Sequence, residues 1–239
     1  MGISVSSTNV VTFDGSREVL VNTSIASNPS SSREGGLLVY SIFKRLLSRE
    51  RAGDGNPLIY ALKAKNGFTI TPRECTKFTP NMSVILDKIL KSKNIDYIIT
   101  MPSSHGIAEI VAKRIQRKLP NKPEVITDFF EKKTVQEVYQ ELSTLEVPPK
   151  LKSKLVQLRM KLETSSLEIF SMKLVDPHLR NYISPLKIKG NFVIENQKSI
   201  LMVDDLLATG ATLKCANNLL SSIEDVSYKI EAICLFSKV

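Results

Sequence analysis

The chain is poor in cysteine and aromatic residues, and it has no long apolar run. Three cysteines in 239 residues, Cys75, Cys215 and Cys234, stand far apart with no Cys-x-x-Cys pair. That spacing argues against a disulfide framework or a structural zinc site. Cys215 and Cys234 read instead as small buried hydrophobes. Aromatic residues make up only 6% of the chain, few for the stacking surfaces of single-strand nucleic-acid binders. Helix-turn-helix and nucleic-acid zinc-finger signatures are absent. No apolar stretch approaches the ~20 residues a helix needs to span a bilayer. Met1 to Val11 lack the charged and apolar regions of a secretory leader, so the expectation is a cytoplasmic protein with no membrane partner.

What is present is a hydrophobic content of 42%, enough for one large domain or one domain with an appendage. Cations outnumber anions, 33 to 24, for a net charge of +9. Such a balance attracts phosphorylated substrates, nucleic acid or an acidic partner protein, and composition alone leaves these three open.

Residues 1–36 are rich in Ser, Thr and Asn. Ile3 to Val5 and Asn9 to Phe13 have strand character, Asp14-Gly15 is a turn signal, and Val19 to Val21 reads as a returning arm. Asn28 to Gly36 reads as a linker. The sequence therefore predicts an N-terminal extension over 1–36, outside a main domain at 37–239. Leu37 to Arg51 has helical spacing, with Leu38, Ile42, Phe43, Leu46 and Leu47 on one side and Arg45, Arg49 and Arg51 towards its end. Leu58 to Lys65 reads as a short helix, and helices are expected at Pro80–Lys91 and Ile107–Leu119. Strands are expected at Ile95–Met101, Glu124–Phe130, Phe192–Glu195, Ser199–Val203 and Tyr228–Phe236. Strands alternating with helices from Ile95 onward predict an α/β fold with a parallel, doubly wound sheet. Thr134 to Met172 is helical and highly charged, broken at Pro148-Pro149. It predicts a charged helical insert, bounded at 137–180, whose lysines between Lys150 and Lys161 form either a solvated face or a docking surface.

The most informative segment is Ser199 to Leu213. Ile200 to Val203 form a buried strand, Asp204 and Asp205 follow it, and Ala208-Thr209-Gly210-Ala211-Thr212 leads into a helix carrying Leu213, Ala216, Leu219 and Leu220. Ligands in open α/β sheets sit beyond the carboxyl ends of strands. A loop entering a helix N-terminus offers N–H groups and a positive dipole end to a phosphate. Adjacent carboxylates can accept hydrogen bonds from a vicinal diol. Gly210, lacking Cβ, lets the backbone approach a phosphate closely. A second loop, Pro102-Ser103-Ser104-His105-Gly106, follows strand Ile95–Met101 and enters a helix in the same way; Ser103 and Ser104 offer hydroxyls and an N-cap there.

The acid pair and the Thr-Gly-x-Thr loop closely resemble the phosphoribosyl-pyrophosphate (PRPP) motif of type I phosphoribosyltransferases. Further elements resemble the ComF-like branch: Leu58 to Lys63 with Asn66-Gly67, the strand ending Met101-Pro102-Ser103, Lys132-Lys133-Thr134-Val135-Gln136, and Arg180-Asn181. The resemblance covers residues 57–239. It implies a doubly wound sheet of the type I phosphoribosyltransferase kind. It places the ribose hydroxyls on the catalytic pair Asp204 and Asp205, and the 5′-phosphate on Ala208, Thr209, Gly210, Ala211 and Thr212. The pyrophosphate falls to Pro102, Ser103, Ser104, His105 and Gly106, with Lys132 or Lys133 in reach. It also implies Mg²⁺ carried by PRPP rather than by a protein cage, a nitrogen acceptor such as a nucleobase, pyrophosphate release and homodimerisation. The sequence departs from that branch in lacking N-terminal Cys-x-x-Cys pairs, in reducing the Arg-Gly-aromatic-Asn run to His105-Gly106-Ile107-Ala108, and in its long insert. Two further readings follow: a PRPP-sensing regulator without catalysis, and a basic nucleic-acid or protein-complex subunit that uses the insert.

Overall fold

The computed structural model describes residues 1–46, 56–103, 105–190, 192, 194–223 and 228–238. In chain order the strands and α-helices are β1 (Gly2–Val5), β2 (Val10–Asp14), β3 (Val21–Asn22), β4 (Ser30–Glu34), β5 (Leu37–Arg45), α1 (Pro57–Leu62), β6 (Thr69–Ile70), α2 (Pro72–Thr76) and α3 (Thr79–Leu90). There follow β7 (Tyr97–Thr100), α4 (Ile107–Lys118), β8 (Glu124–Ile126), β9 (Phe130–Lys132), α5 (Val135–Glu141), α6 (Lys152–Glu163), β10 (Leu186–Ile188), β11 (Ser199–Leu206), α7 (Ala211–Ser221) and β12 (Lys229–Phe236).

The main sheet is mixed and mostly parallel. Its order is β3-β5-β12-β11-β7-β8, with β4 also pairing to β5. The five strands from β5 to β8 run parallel, and β3 and β4 lie antiparallel along β5. Parallel strands buried on both faces read as continuous apolar runs, and β11 does so from Ile200 to Val203, all fully buried. The period of two then divides the core into two layers. Ile98, Leu201, Val203 and Ile233 pack with α1, α3 and α4 on one face. Ile99, Ile200, Met202, Ala232 and Cys234 pack with α7 on the other. A third apolar cluster, around Val138, Leu158, Leu162 and Leu179, belongs to the insert alone. Among the described residues no helix is long and apolar enough to cross a membrane.

Sequence expectations change at several elements. Leu37 to Arg45 is a strand of the main sheet, not the first part of a helix, and the expected helix positions Leu47, Arg49 and Arg51 lie outside the described residues. A short apolar run fits either period, and burial on both faces decides for the strand. Asn28 to Gly36 is not a linker: Ser30–Glu34 pairs in register with β5, and Gly35 and Gly36 form the turn with φ of +61° and +91°. Two residues at positive φ are what a tight hairpin requires. The extension at 1–36 is thus built into the fold, with β3 and β4 in the main sheet and Ile3, Val11 and Val21 in the larger core. The strands expected at Ile3–Val5 and Asn9–Phe13 form and pair with each other as β1 and β2, whereas the expected returning arm at Val21 pairs with β5 rather than with β2.

A further change concerns the end of the strand at Glu124–Phe130. It splits into β8, on the edge of the main sheet, and β9, which pairs antiparallel with β10 outside it. The insert leaves this small ladder after Lys132 and returns at Leu186, wider bounds than 137–180. Phe192, Ile194 and Glu195 are not in a strand, and Asn191 and Val193 lie outside the described residues.

Gly36→Ala tests the hairpin by sign. At the start of a helix this change would stabilise by about 1 kcal/mol. At φ +91°, with no atom near the added Cβ, it is expected to destabilise by about 1 kcal/mol through backbone strain alone. Urea denaturation of the two proteins measures the difference.

Candidate functional site

Strand order places the site. From β7 the chain crosses through α4 to β8, away from β11; from β11 it crosses through α7 to β12, away from β7. α4 and α7 lie on opposite faces. The sheet therefore switches direction between β7 and β11, and the crevice beyond their carboxyl ends is where such sheets bind ligands. Met101 N–H donates to Val203 C=O at 2.8 Å, which sets Pro102 to Gly106 beside Asp204 and Asp205. The two loops singled out in the sequence meet at this switch point.

The strand continues through both acids to Leu206, so its alternation turns the two carboxylates to different faces. Asp205, 6% exposed, follows Leu201 and Val203 towards α1. There Lys63, at the C-terminus of α1, reaches it with Nζ at 2.6 Å. Ser103 Oγ donates to the same carboxylate at 3.3 Å. Asp204 follows Ile200 and Met202 towards the face of α7 and β9, and its Oδ1 accepts the Asp205 N–H at 2.7 Å. Loss of hydration, and next the charge of Asp205, push its carboxyl up to about 7; that N–H and the charges of Lys63 and Lys132 pull the other way.

In the first loop, Ser103 is not the helix cap the sequence suggested. The N-cap is Gly106, at φ +63°, and Ser103 Oγ accepts the His105 N–H at 3.4 Å while holding Asp205. The helix begins too late for a serine side chain at 103 to reach its first turn. Ser104 lies outside the described residues.

In the second loop, Ala208 and Thr209 are exposed and Gly210 caps α7 at φ +72°. The N–H groups of a first helical turn have no partner within the helix. Thr209 Oγ1 lies 3.5 Å from the Ala211 N–H. An unforeseen residue is Glu34 of β4: a Cβ on Gly210 would lie 3.0 Å from its carboxylate. Burial pushes the Glu34 carboxyl up, but hydrogen bonds from Lys238 and Ser32 outweigh it and hold it below the usual range. Lys238 Nζ pairs with Glu34 at 2.6 Å.

Of the two lysines placed near the pyrophosphate, Lys133 is held by Glu141, with Nζ–O distances of 2.6 and 2.8 Å. Lys132 is exposed at the end of β9, and its charge acts on Asp204. Thr134, in the basic-Thr-x-Gln element, caps α5 in a reciprocal box with Glu137. Arg180 and Asn181 line a cavity against α7 whose wall also includes Ala211 of the second loop. The sequence alone gives Lys63 no role; its Leu-Lys position at the end of a short helix is the one signal pointing to it. Among the described residues no group of three or more His, Cys, Asp or Glu could hold a metal ion. No family model and no curated protein matches the chain.

The raised Asp204 carboxyl has a definite pH signature. The folded protein keeps a proton that the unfolded chain releases near 3.8. Stability from this group is full below that value and is lost as pH rises to about 7. A carbon-13 carboxyl titration is expected to give a midpoint near 7, and Lys63→Met is expected to move it higher. A midpoint in the ordinary carboxylate range would contradict this electrostatic account.

Proposed function

We propose that the protein binds PRPP and transfers its phosphoribosyl group to a nitrogen acceptor, releasing pyrophosphate, on a sheet of the type I phosphoribosyltransferase kind. The observation that carries the reading is the meeting of an acid pair and two helix-capping loops at one switch point. In this reading Asp205, fixed by Lys63 and Ser103, and Asp204 hold the ribose hydroxyls. Thr209, Thr212 and the backbone of Ala208 to Thr212 hold the 5′-phosphate, the N-terminus of α7 favouring its charge. Pro102 to Gly106 and Lys132 face the leaving pyrophosphate. The protein then contributes positioning and charge stabilisation while the glycosidic carbon becomes cationic and nitrogen replaces pyrophosphate.

The donor set suits Mg²⁺ brought in by substrate, because such ions keep several waters and bind through phosphates with one or two carboxylates. When bound, the ion neutralises the leaving pyrophosphate. A cytoplasmic setting goes with this reading, the three cysteines being free thiols. One observation favours a PRPP-sensing regulator as the second reading: Glu141 engages Lys133 and withdraws a cation from the pyrophosphate side.

Calorimetric titration tests the proposal. PRPP is expected to bind saturably, more tightly with Mg²⁺, and more tightly than ribose 5-phosphate. Asp204→Asn with Asp205→Asn is expected to weaken PRPP at least about a hundredfold, near 3 kcal/mol, while circular dichroism stays native. Retained affinity in the folded double variant would sink the reading. Binding without pyrophosphate release from PRPP, whichever nucleobase is supplied, would select the regulator.

A further inference from the structure

Two cavities flank Arg180, away from the acid pair. The first, about 340 Å³, lies between residues 180–184 and the outer side of α7. Its walls combine Tyr182, Ile183 and Leu219 with the amides of Asn181 and Asn218. Tyr182 is 40% exposed, a ring left open to solvent at the mouth. The second, about 240 Å³, lies between α6 and residues 173–180, and Lys154, Lys161, Lys173 and Arg180 border it against a single carboxylate, Asp176.

That carboxylate is already engaged. Lys154 Nζ sits 3.0 Å from Asp176, and the His178 N–H donates to the same oxygen at 2.9 Å. Lys161 and Lys173 have no ion-pair partner among the described residues. Arg180 is oriented by donation from Nε to Val175 C=O at 3.2 Å, and it borders both cavities. Unpaired cations gathered in a concave site attract phosphate far more strongly than scattered surface lysines. An apolar and aromatic wall edged by amides suits a planar heterocycle, whose ring edge needs hydrogen bonds and whose faces need burial.

We propose that these two cavities, which share Arg180 as a wall, together form a binding site for a nucleoside diphosphate. The base lies against Tyr182, Ile183 and Leu219, Asn181 and Asn218 meet its edge, and the phosphates lie among Lys161, Lys173 and Arg180. This site uses none of the acid-pair residues and stands whether or not the chain acts on PRPP. It also gives the cationic insert a specific ligand rather than a general attraction for polyanions.

The test is titration of the full chain with ADP, GDP, CDP and UDP, with pyrophosphate and the matching nucleosides as controls. At least one diphosphate is expected to bind more tightly than its nucleoside and than pyrophosphate. Lys161→Ala with Lys173→Ala, both at exposed positions, is expected to weaken it about tenfold or more. Tyr182→Ala is expected to weaken the diphosphate but not pyrophosphate. Asp204→Asn with Asp205→Asn is expected to leave it unchanged, which separates this site from the PRPP reading. Failure of all four diphosphates to bind would overturn the proposal. So would affinity unaffected by the lysine changes, or affinity lost with the acid pair. Binding confined to long single-stranded DNA, with steep salt dependence, would overturn it in favour of a non-specific polyanion surface.

Discussion

A strand flanked by parallel neighbours and covered on both faces has no room for polar side chains until it emerges from the sheet. β11 meets that constraint from Ile200 to Val203. Its first charged residues, Asp204 and Asp205, come where the ladder with β7 ends, at Val203. The period of two then sends one carboxylate towards α1 and the other towards β9 and α7. The partners of each acid follow from that geometry: Lys63 and Ser103 for Asp205, and the field of Lys132 for Asp204. The crevice between β7 and β11 and the asymmetry of the acid pair therefore share one cause.

The asymmetry matters because buried charge is costly unless it is paired. Asp205 lies beside the Lys63 ammonium and accepts a serine hydroxyl. Asp204, partly buried, has no ion-pair partner among the described residues and lowers the cost by holding a proton towards neutral pH. A ligand that brings hydroxyl donors or a cation to Asp204 would favour the ionised form and so release that proton. A similar economy governs the second loop, where Glu34 packs on Gly210 but is compensated by Lys238 and Ser32. The flank of the α7 N-terminus is therefore a compensated pair rather than a bare anion, and the dipole of that helix end is not opposed by a lone carboxylate.

Much of this was legible in the sequence. Helices α3, α4 and α7 carry clear one-sided apolar spacing, and β7, β11 and β12 are compact apolar runs; these elements fix the two crevice loops. β5 was misread because Leu37 to Phe43 is apolar on both faces, a pattern that satisfies helical and extended periods alike. Gly35-Gly36 was the signal that would have settled it, being a hairpin turn rather than the end of a linker. Glu34 on Gly210 and Lys63 on Asp205 join residues more than a hundred positions apart. Such contacts leave no local pattern and come only from topology. Local pairing explains Lys133 as well: Glu141 lies eight residues on, across one short helix, but nothing in the spacing told which lysine the insert would claim.

The insert is tied to the site at its root rather than hung from the sheet by a loose loop. It leaves the β9–β10 ladder at Lys132, opposite Leu186, and the Lys133 N–H donates to Pro185 C=O at 3.0 Å. Lys187 then bridges Glu131 of β9 and Glu137 of α5, and Thr134 caps α5 at the same junction. The insert has an apolar cluster of its own, and Ser184, at its far end, also meets Cys215 of α7 at 3.0 Å. Lys132 sits at the junction, and its charge draws the Asp204 carboxyl down, against the burial and the Asp205 charge that raise it. The long charged segment, which in the sequence looks like a departure from the surrounding α/β pattern, is thereby electrostatically continuous with the site.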